Sequence, residues 1–207
     1  MSKGPAKELI LVLGGARSGK SSWALHDAEE RYETFLFLAT ARSLDDEMAE
    51  RIRLHQSSRG PGWQLVEEPI EISDALRTRC GGVEMVLIDC LTVWLSNLMF
   101  EKGIESIDAY REGLLRTLSE REQNIIIVSN ELGMGIVPEN PIGRKFRDLS
   151  GQFNQDIAAM ADKVVFLMAG LPMVLKDVPL KPGAPVSETS SPKRSRDGNR
   201  RKDERDL

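Results

Sequence analysis

The sequence predicts an α/β domain: a mostly parallel sheet with helices on both faces. Three observations predict it. Short apolar runs of strand length alternate with longer amphipathic segments, the pattern of a doubly covered sheet. One of those runs, Leu9-Ile10-Leu11-Val12-Leu13, leads into Gly14-Gly15-Ala16-Arg17-Ser18-Gly19-Lys20-Ser21, and a helical segment follows. Strand, glycine-rich turn and helix is the setting in which G-x-x-x-x-G-K-[ST] cradles phosphate. A later apolar run, Val86-Leu87-Ile88, ends in Asp89, the form of a strand that carries an acid towards such a cradle.

Taken in order, the first strand covers Leu9 to Leu13 and the first helix runs from Ser22 to near Tyr32. Phe35 to Ala39 is the second strand and stops at Thr40-Ala41-Arg42. A second helix is expected from Asp45 to about Gln56, its first turn acidic, where the helix dipole favours carboxylates. Ser58-Arg59-Gly60-Pro61-Gly62 breaks it. Trp63 to Val66 reads as a short strand and Ile72 to Arg79 as a helix. Val83 to Ile88 is a buried strand ending in Asp89. Leu91 to Phe100 and Asp108 to Glu122 read as helices, and Ile125 to Val128 as a strand. A loop rich in Gly and Pro, Asn130 to Pro141, precedes a long helix from Ile142 to Asp162. Val164 to Met168 is the last strand expected. No internal repeat is found.

From Asp177 the composition turns to Pro, Ser, Lys, Arg and Asp. Such a segment lacks the apolar surface to offset ordering entropy. The expected organisation is one domain over 1–176 and a disordered charged tail over 177–207. The basic end of that tail reads as a solvated terminus, with a binding tail as the alternative.

The chain has 207 residues and a net charge of −4, so no global basic field points to nucleic acid. Cys80 and Cys90 are the only cysteines and form no metal-binding pattern, which suits reduced thiols in the cytoplasm. No apolar run approaches the roughly 20 residues that span a bilayer. Met1 to Pro5 leads straight into the first strand, so no targeting segment is expected.

In parallel sheets, ligands bind beyond the carboxyl ends of the strands. Four groups are expected there: the glycine-rich loop, Thr40-Ala41-Arg42, Asp89, and Ser129-Asn130-Glu131. Backbone N–H groups of the loop and the helix start would face the phosphates. Lys20 would bridge terminal phosphates, the Ser21 hydroxyl would bind Mg²⁺, and Asp89 would hold the metal through water. Glu131 is either a second acid near the phosphates or a loop residue. Asn130-Glu131-Leu132-Gly133 is not the guanine signature N-K-x-D of switch GTPases. Of the two histidines, His26 reads as a helix residue. His55 follows Met48 and Ile52 at helical spacing and fits a packed helix histidine. Arg51 and Arg59, one turn to either side, also give it a phosphate-friendly setting, and a neutral imidazole is a competent nucleophile towards phosphorus.

Beyond the loop, several stretches resemble the bifunctional adenosylcobinamide kinase/adenosylcobinamide-phosphate guanylyltransferase family. They are Leu44-Asp45-Asp46-Glu47-Met48, Arg51-Ile52-x-x-His55, and Trp63 followed by Glu67-Glu68-Pro69. Asp89-Cys90-Leu91-Thr92-x-Trp94-x-x-Asn97 and the run from Asn130 to Pro138 also match. Arg147-Asp148-x-x-Gly151-x-x-Asn154-Gln155 and Gly170-Leu171-Pro172 complete the set. The resemblance spans about residues 8 to 176.

That resemblance implies a RecA-like P-loop fold and two reactions in cobalamin assembly. ATP or GTP phosphorylates adenosylcobinamide, and GMP from GTP is then transferred to the new phosphate. It places the guanylylated histidine on His55, with Lys20 as the other catalytic residue. It places nucleotide contacts on Gly14, Gly15, Ala16, Arg17, Ser18, Gly19, Lys20, Ser21 and Ser22. Further contacts fall on Thr40, Ala41, Arg42, Gln56, Ser57, Ser58, Arg59, Glu67 and Asp89. It also implies a homotrimer. Some relatives carry a second histidine just before the active one, where this chain has Leu54. Two other readings fit a phosphate loop: a simple small-molecule kinase without guanylyl transfer, and a regulatory nucleotide-binding ATPase.

Overall fold

A computed structural model describes residues 7–42, 60 and 62–177 of the chain. The apolar runs become strands: β1 (Leu9–Gly14), β2 (Phe35–Ala39), β3 (Trp63–Glu67), β4 (Met85–Asp89), β5 (Asn124–Val128) and β6 (Lys163–Met168). All six are parallel. The order across the sheet is β3-β2-β4-β5-β1-β6, with β7 (Leu171–Asp177) added antiparallel at the β6 edge. Every residue of β1 is buried, which explains its unbroken apolar run: both faces of a central parallel strand are covered.

The pleat sends alternate side chains to opposite faces. Ile10 and Val12 pack with Ala24, Leu25 and Ala28 of α1 (Lys20–Arg31). Leu9, Leu11 and Leu13 join the larger core on the other face. That core is built on α2 (Ile72–Thr78), α3 (Leu91–Glu101), α4 (Ile107–Ser119) and α5 (Pro141–Met160). At its centre Trp94 meets Phe153 edge to face, centroids 5.5 Å apart, and the indole N–H donates to the Ile70 carbonyl at 2.7 Å. The Arg111–Asp156 ion pair, at 2.5 Å, ties α4 to α5.

Helix ends follow local chemistry. Asn140 caps α5 by accepting from the Gly143 N–H at 2.6 Å, and Pro141 occupies the first turn. α4 ends at Ser119, three residues before the expected Glu122, where the Glu120 N–H closes onto the Arg116 and Thr117 carbonyls. The expected helix from Asp45 to Gln56 lies outside the described residues, as do His55, Gln56, Ser57, Ser58 and Arg59.

β7 was not expected. Leu171, Met173, Val174 and Leu175 are all exposed, so the strand shows no buried alternation to read. Pro172 is tolerated because β7 is an edge. The turn before it, Ala169-Gly170, has φ of 51° and 82°, the doubly positive pair that closes a two-residue hairpin. β7 also includes Asp177, one residue past the boundary drawn from composition.

Candidate active site

The carboxyl ends of the parallel strands bring the expected groups together. β1 ends at Gly14 with φ 150°, where a Cβ would lie 2.4 Å from the Leu167 carbonyl oxygen and 2.7 Å from Ser18 Oγ. Only glycine lets the chain turn there against β6. The loop closes at Gly19, with φ 94°, and Lys20 begins α1. No acidic residue occupies the first turn of α1, so the positive end of its dipole is left for an anion.

Lys20 is 7% exposed, and its ammonium donates to the Gly15 carbonyl at 2.5 Å. Ser18 Oγ lies 3.5 Å from the same nitrogen. Burial lowers the lysine below its ordinary pKa, while neighbouring Cys90 and Asp89 oppose that shift. A desolvated cation at the start of a helix free of first-turn acids has the charge and the donors that suit a phosphate group.

Asp89 closes β4, in register with Ala39 on one side and Val128 on the other. Thr40 sits behind it, fully buried, and is committed there: Oγ1 donates to the Cys90 carbonyl at 2.8 Å and accepts the Cys90 N–H at 2.9 Å. The Asp89-Cys90 peptide is cis. Burial pushes the Cys90 thiol up to about 12, and Asp89 adds to it. Ala41 is partly buried, and Arg42 pairs with Glu101 of α3 at 2.6 Å. Glu67 ends β3 on the exposed surface, level with Ala39 and therefore with Asp89. Ser21 is partly buried and Ser22 exposed at the start of α1.

A brace around Asn130 was not read from the sequence. The Asn130 N–H donates to Thr92 Oγ1 at 2.8 Å, and Asn154 Nδ2 donates to the Asn130 carbonyl at 3.1 Å. The next residue, Glu131, donates its N–H to the Gly14 carbonyl at 3.0 Å. Its carboxylate accepts the Gly133 N–H at 2.5 Å. α3 and α5 thus hold the loop after β5 against the phosphate loop. The available signal was Thr92 and Asn154 at core-facing positions of otherwise apolar helix stripes. Likewise, Asn97 Nδ2 donates to the Thr40 and Pro69 carbonyls, at 2.8 and 3.0 Å.

The fold and this loop define a P-loop nucleotide-binding enzyme of the RecA-like kind. Residues 10–175 match the model of the cobinamide kinase / cobinamide phosphate guanyltransferase family, and the chain belongs to that family. It is 42% identical over 170 residues to the bifunctional adenosylcobalamin biosynthesis protein CobP of Pseudomonas aeruginosa, covering 82% of this chain and 98% of that one. It is 35% identical over 184 residues to the bifunctional adenosylcobalamin biosynthesis protein CobU of Escherichia coli, covering 81% and 99%.

Among solved structures it resembles an ATPase of the type III secretion system of pathogenic bacteria. There the TM-score is 0.52 at 9% identity, over 81% of this chain and 56% of that one. The ATPase EscN of enteropathogenic E. coli gives 0.51 at 11% identity, over 79% and 43%. At such identities the likeness shows the fold alone. Among the described residues no helix is long and apolar enough to cross a membrane, and no cluster of three or more His, Cys, Asp or Glu could hold a metal.

Proposed function

We propose that this chain phosphorylates the aminopropanol hydroxyl of adenosylcobinamide with ATP or GTP, then transfers GMP from GTP to that phosphate. The observation that carries the reading is Lys20, desolvated on its own loop beside Asp89, in a chain of this family. In the first step the substrate oxygen bonds to the γ-phosphorus, the β,γ-bridging P–O bond breaks, and the hydroxyl proton is released. Lys20 and the loop amides compensate the charge that develops on the departing diphosphate.

In the second step His55 supplies the nucleophile. Its ring nitrogen bonds to the α-phosphorus of GTP and pyrophosphate leaves. The substrate phosphate then displaces the imidazole, forming adenosylcobinamide-GDP. An imidazole with an ordinary pKa of about 6.5 is mostly neutral at cytoplasmic pH, as this attack requires. Arg17, Gln56, Ser57, Ser58, Arg59 and Glu67 are the further nucleotide contacts in this reading.

The donor set suits Mg²⁺. Ser21 offers a hydroxyl and Asp89 a carboxylate, both hard oxygen ligands, which with phosphate oxygens and water make an ordinary magnesium shell. The bound metal would supply charge neutralisation on the phosphates. The same reading makes the enzyme a cytoplasmic homotrimer that does not act on nucleic acid. The basic segment after β7 is not needed for either step.

The test is intact-mass spectrometry after incubation with GTP and Mg²⁺, beside separate assays of the two steps with cobinamide. Wild-type protein should gain one GMP, and His55→Ala should gain none while keeping most of the kinase step. GMP on the variant would place the nucleophile elsewhere. A wild-type protein that phosphorylates no cobinamide would overturn the assignment.

A further inference from the structure

β5 lies between the two strands that carry the phosphate chemistry: β1, which leads into the phosphate loop, and β4, which ends in Asp89. Its pairing with β1 runs past Val128. Val12 is level with Val128, the Ser129 N–H donates to the Val12 carbonyl, and the Glu131 N–H donates to the Gly14 carbonyl. Asn130 is therefore still in extended register, level with Gly14. The pleat then fixes its side. Ile125 and Ile127 belong to the core covered by α2 to α5, whereas Ile126 and Val128 pack on the α1 side. Asn130 continues the second set. Met85 and Leu87 lie on that same side, and Asp89 continues them. Asp89 is level with Val128, so Asn130 leaves the same face one pleat, roughly 7 Å, farther out. Lys20 reaches this level from α1, donating to the carbonyl of Gly15, the residue after Gly14.

Helix side chains hold both backbone groups of Asn130. Thr92 Oγ1 of α3 accepts its N–H at 2.8 Å, and Asn154 Nδ2 of α5 donates to its carbonyl at 3.1 Å. Its own side chain is partly exposed, and the carboxamide makes no hydrogen bond among the described residues. We infer that the Asn130 carboxamide donates a hydrogen bond to the terminal phosphoryl group of the bound triphosphate, as a catalytic residue of the phosphoryl step. The inference rests on the function proposed above and adds a residue to it. A carboxamide suits the place: its NH₂ offers two donors and no charge, so phosphoryl oxygens gain partners without a second cation beside Lys20. The bonds made and broken are those already given for that step, and the amide neither gains nor loses a proton. Its donors meet the oxygens over which charge spreads as the phosphoryl group passes from the bridging oxygen to the substrate oxygen. Glu131 does not take this part. It lies on the opposite pleat, and its carboxylate accepts the Gly133 N–H.

The experiment is steady-state kinetics of the full chain with cobinamide and ATP, with ATP affinity measured separately by titration. Asn130→Ala should lower kcat of the phosphoryl step about a hundredfold, the effect of removing one donor to developing charge. ATP affinity should weaken less than about fivefold, because Lys20 and the loop amides remain. Asn130→Asp keeps the shape of the side chain and serves where the alanine variant does not fold. It turns an acceptor towards the phosphates and should lose at least as much kcat as alanine. Unchanged kcat in a folded variant would overturn the inference and leave the proposed function standing. Equal losses of kcat and ATP affinity would also overturn it, by making the side chain a support of the loop alone. Absence of cobinamide phosphorylation by the wild-type chain would overturn both.

Discussion

The backbone N–H of Gly170 donates to the carbonyl of Ser18 at 3.0 Å, so the turn of the β6–β7 hairpin props the phosphate loop from outside the motif. The approach is close: a Cβ on Gly19 would lie 3.4 Å from the Gly170 Cα. Glu131 holds the other end of the loop through the Gly14 carbonyl. The loop is therefore fixed at both ends by backbone bonds to neighbouring strand ends, which orients its remaining N–H groups before a phosphate arrives.

This brace predicts that Gly170→Val weakens triphosphate binding without touching the motif. A β-branched residue at φ 82° is strained by about 1–3 kcal/mol. The strain is relieved by moving the turn off Ser18. Urea unfolding should show the loss of stability, and nucleotide titration a several-fold weaker affinity. Lowered stability with unchanged affinity would show that the hairpin turn does not govern the loop.

Lys20→Met should separate stability from function. Burial holds the folded lysine below its usual pKa. The unfolded chain therefore binds its proton more readily, and the ammonium costs stability at neutral pH. That cost falls as pH rises through the folded value towards 10.5, the value of an ordinary lysine. Methionine keeps the volume and removes the charge, so the nucleotide-free variant should be as stable as the parent or up to about 1 kcal/mol more so. It should lose the stabilisation that a triphosphate confers on the parent, about 2.7 kcal/mol at a hundred times Kd. Thermal unfolding with and without ATP reads both effects. A large loss of stability without nucleotide would show that the ammonium is a structural bond.

The two thiols predict alkaline sensitivity. Burial pushes Cys80 up to about 11 and Cys90 up to about 12, whereas an ordinary thiol ionises at 9.0. The folded chain thus holds protons that the unfolded chain releases, and stability falls as pH rises past that value. The slope approaches about 1.4 kcal/mol per pH unit for each thiol. Lys20 and Lys176, both lowered by burial, act in the opposite sense, while Tyr32 and Tyr110, both raised, act with the thiols. Urea unfolding at pH 8 and pH 10 should show the decline, and Cys80→Ala should reduce it. A flat profile would mean that the thiols ionise in the fold as they do in the open chain.

Much of the architecture was legible because it rests on local and periodic signals. Leu9 to Leu13 could be read as a buried strand because a strand covered on both faces needs an apolar residue at every position. Gly14 to Ser21 could be read as a phosphate loop because close backbone approach and the glycine conformations at Gly14 and Gly19 restrict the residue types. Asp89 stood out as an acid at the end of an apolar strand. The family, too, was legible in the order of its motifs, and residues 10–175 match its model.

What the tertiary structure decided is which residues meet across long separations. β7 escaped notice because an exposed edge strand buries neither face and leaves no alternation. Thr40 reads as one more residue at a strand end, yet it lies against Cys90, fifty positions on, and its hydroxyl is committed there. Asn154 reads as a polar residue in a long helix. Only the packing of α5 beside β1 brings its amide to the Asn130 carbonyl. Sequence by itself determined which backbone segments take regular form, since those choices follow from nearest neighbours and periodicity. The partner of each buried polar group was decided by the order of strands in the sheet, which no local signal encodes.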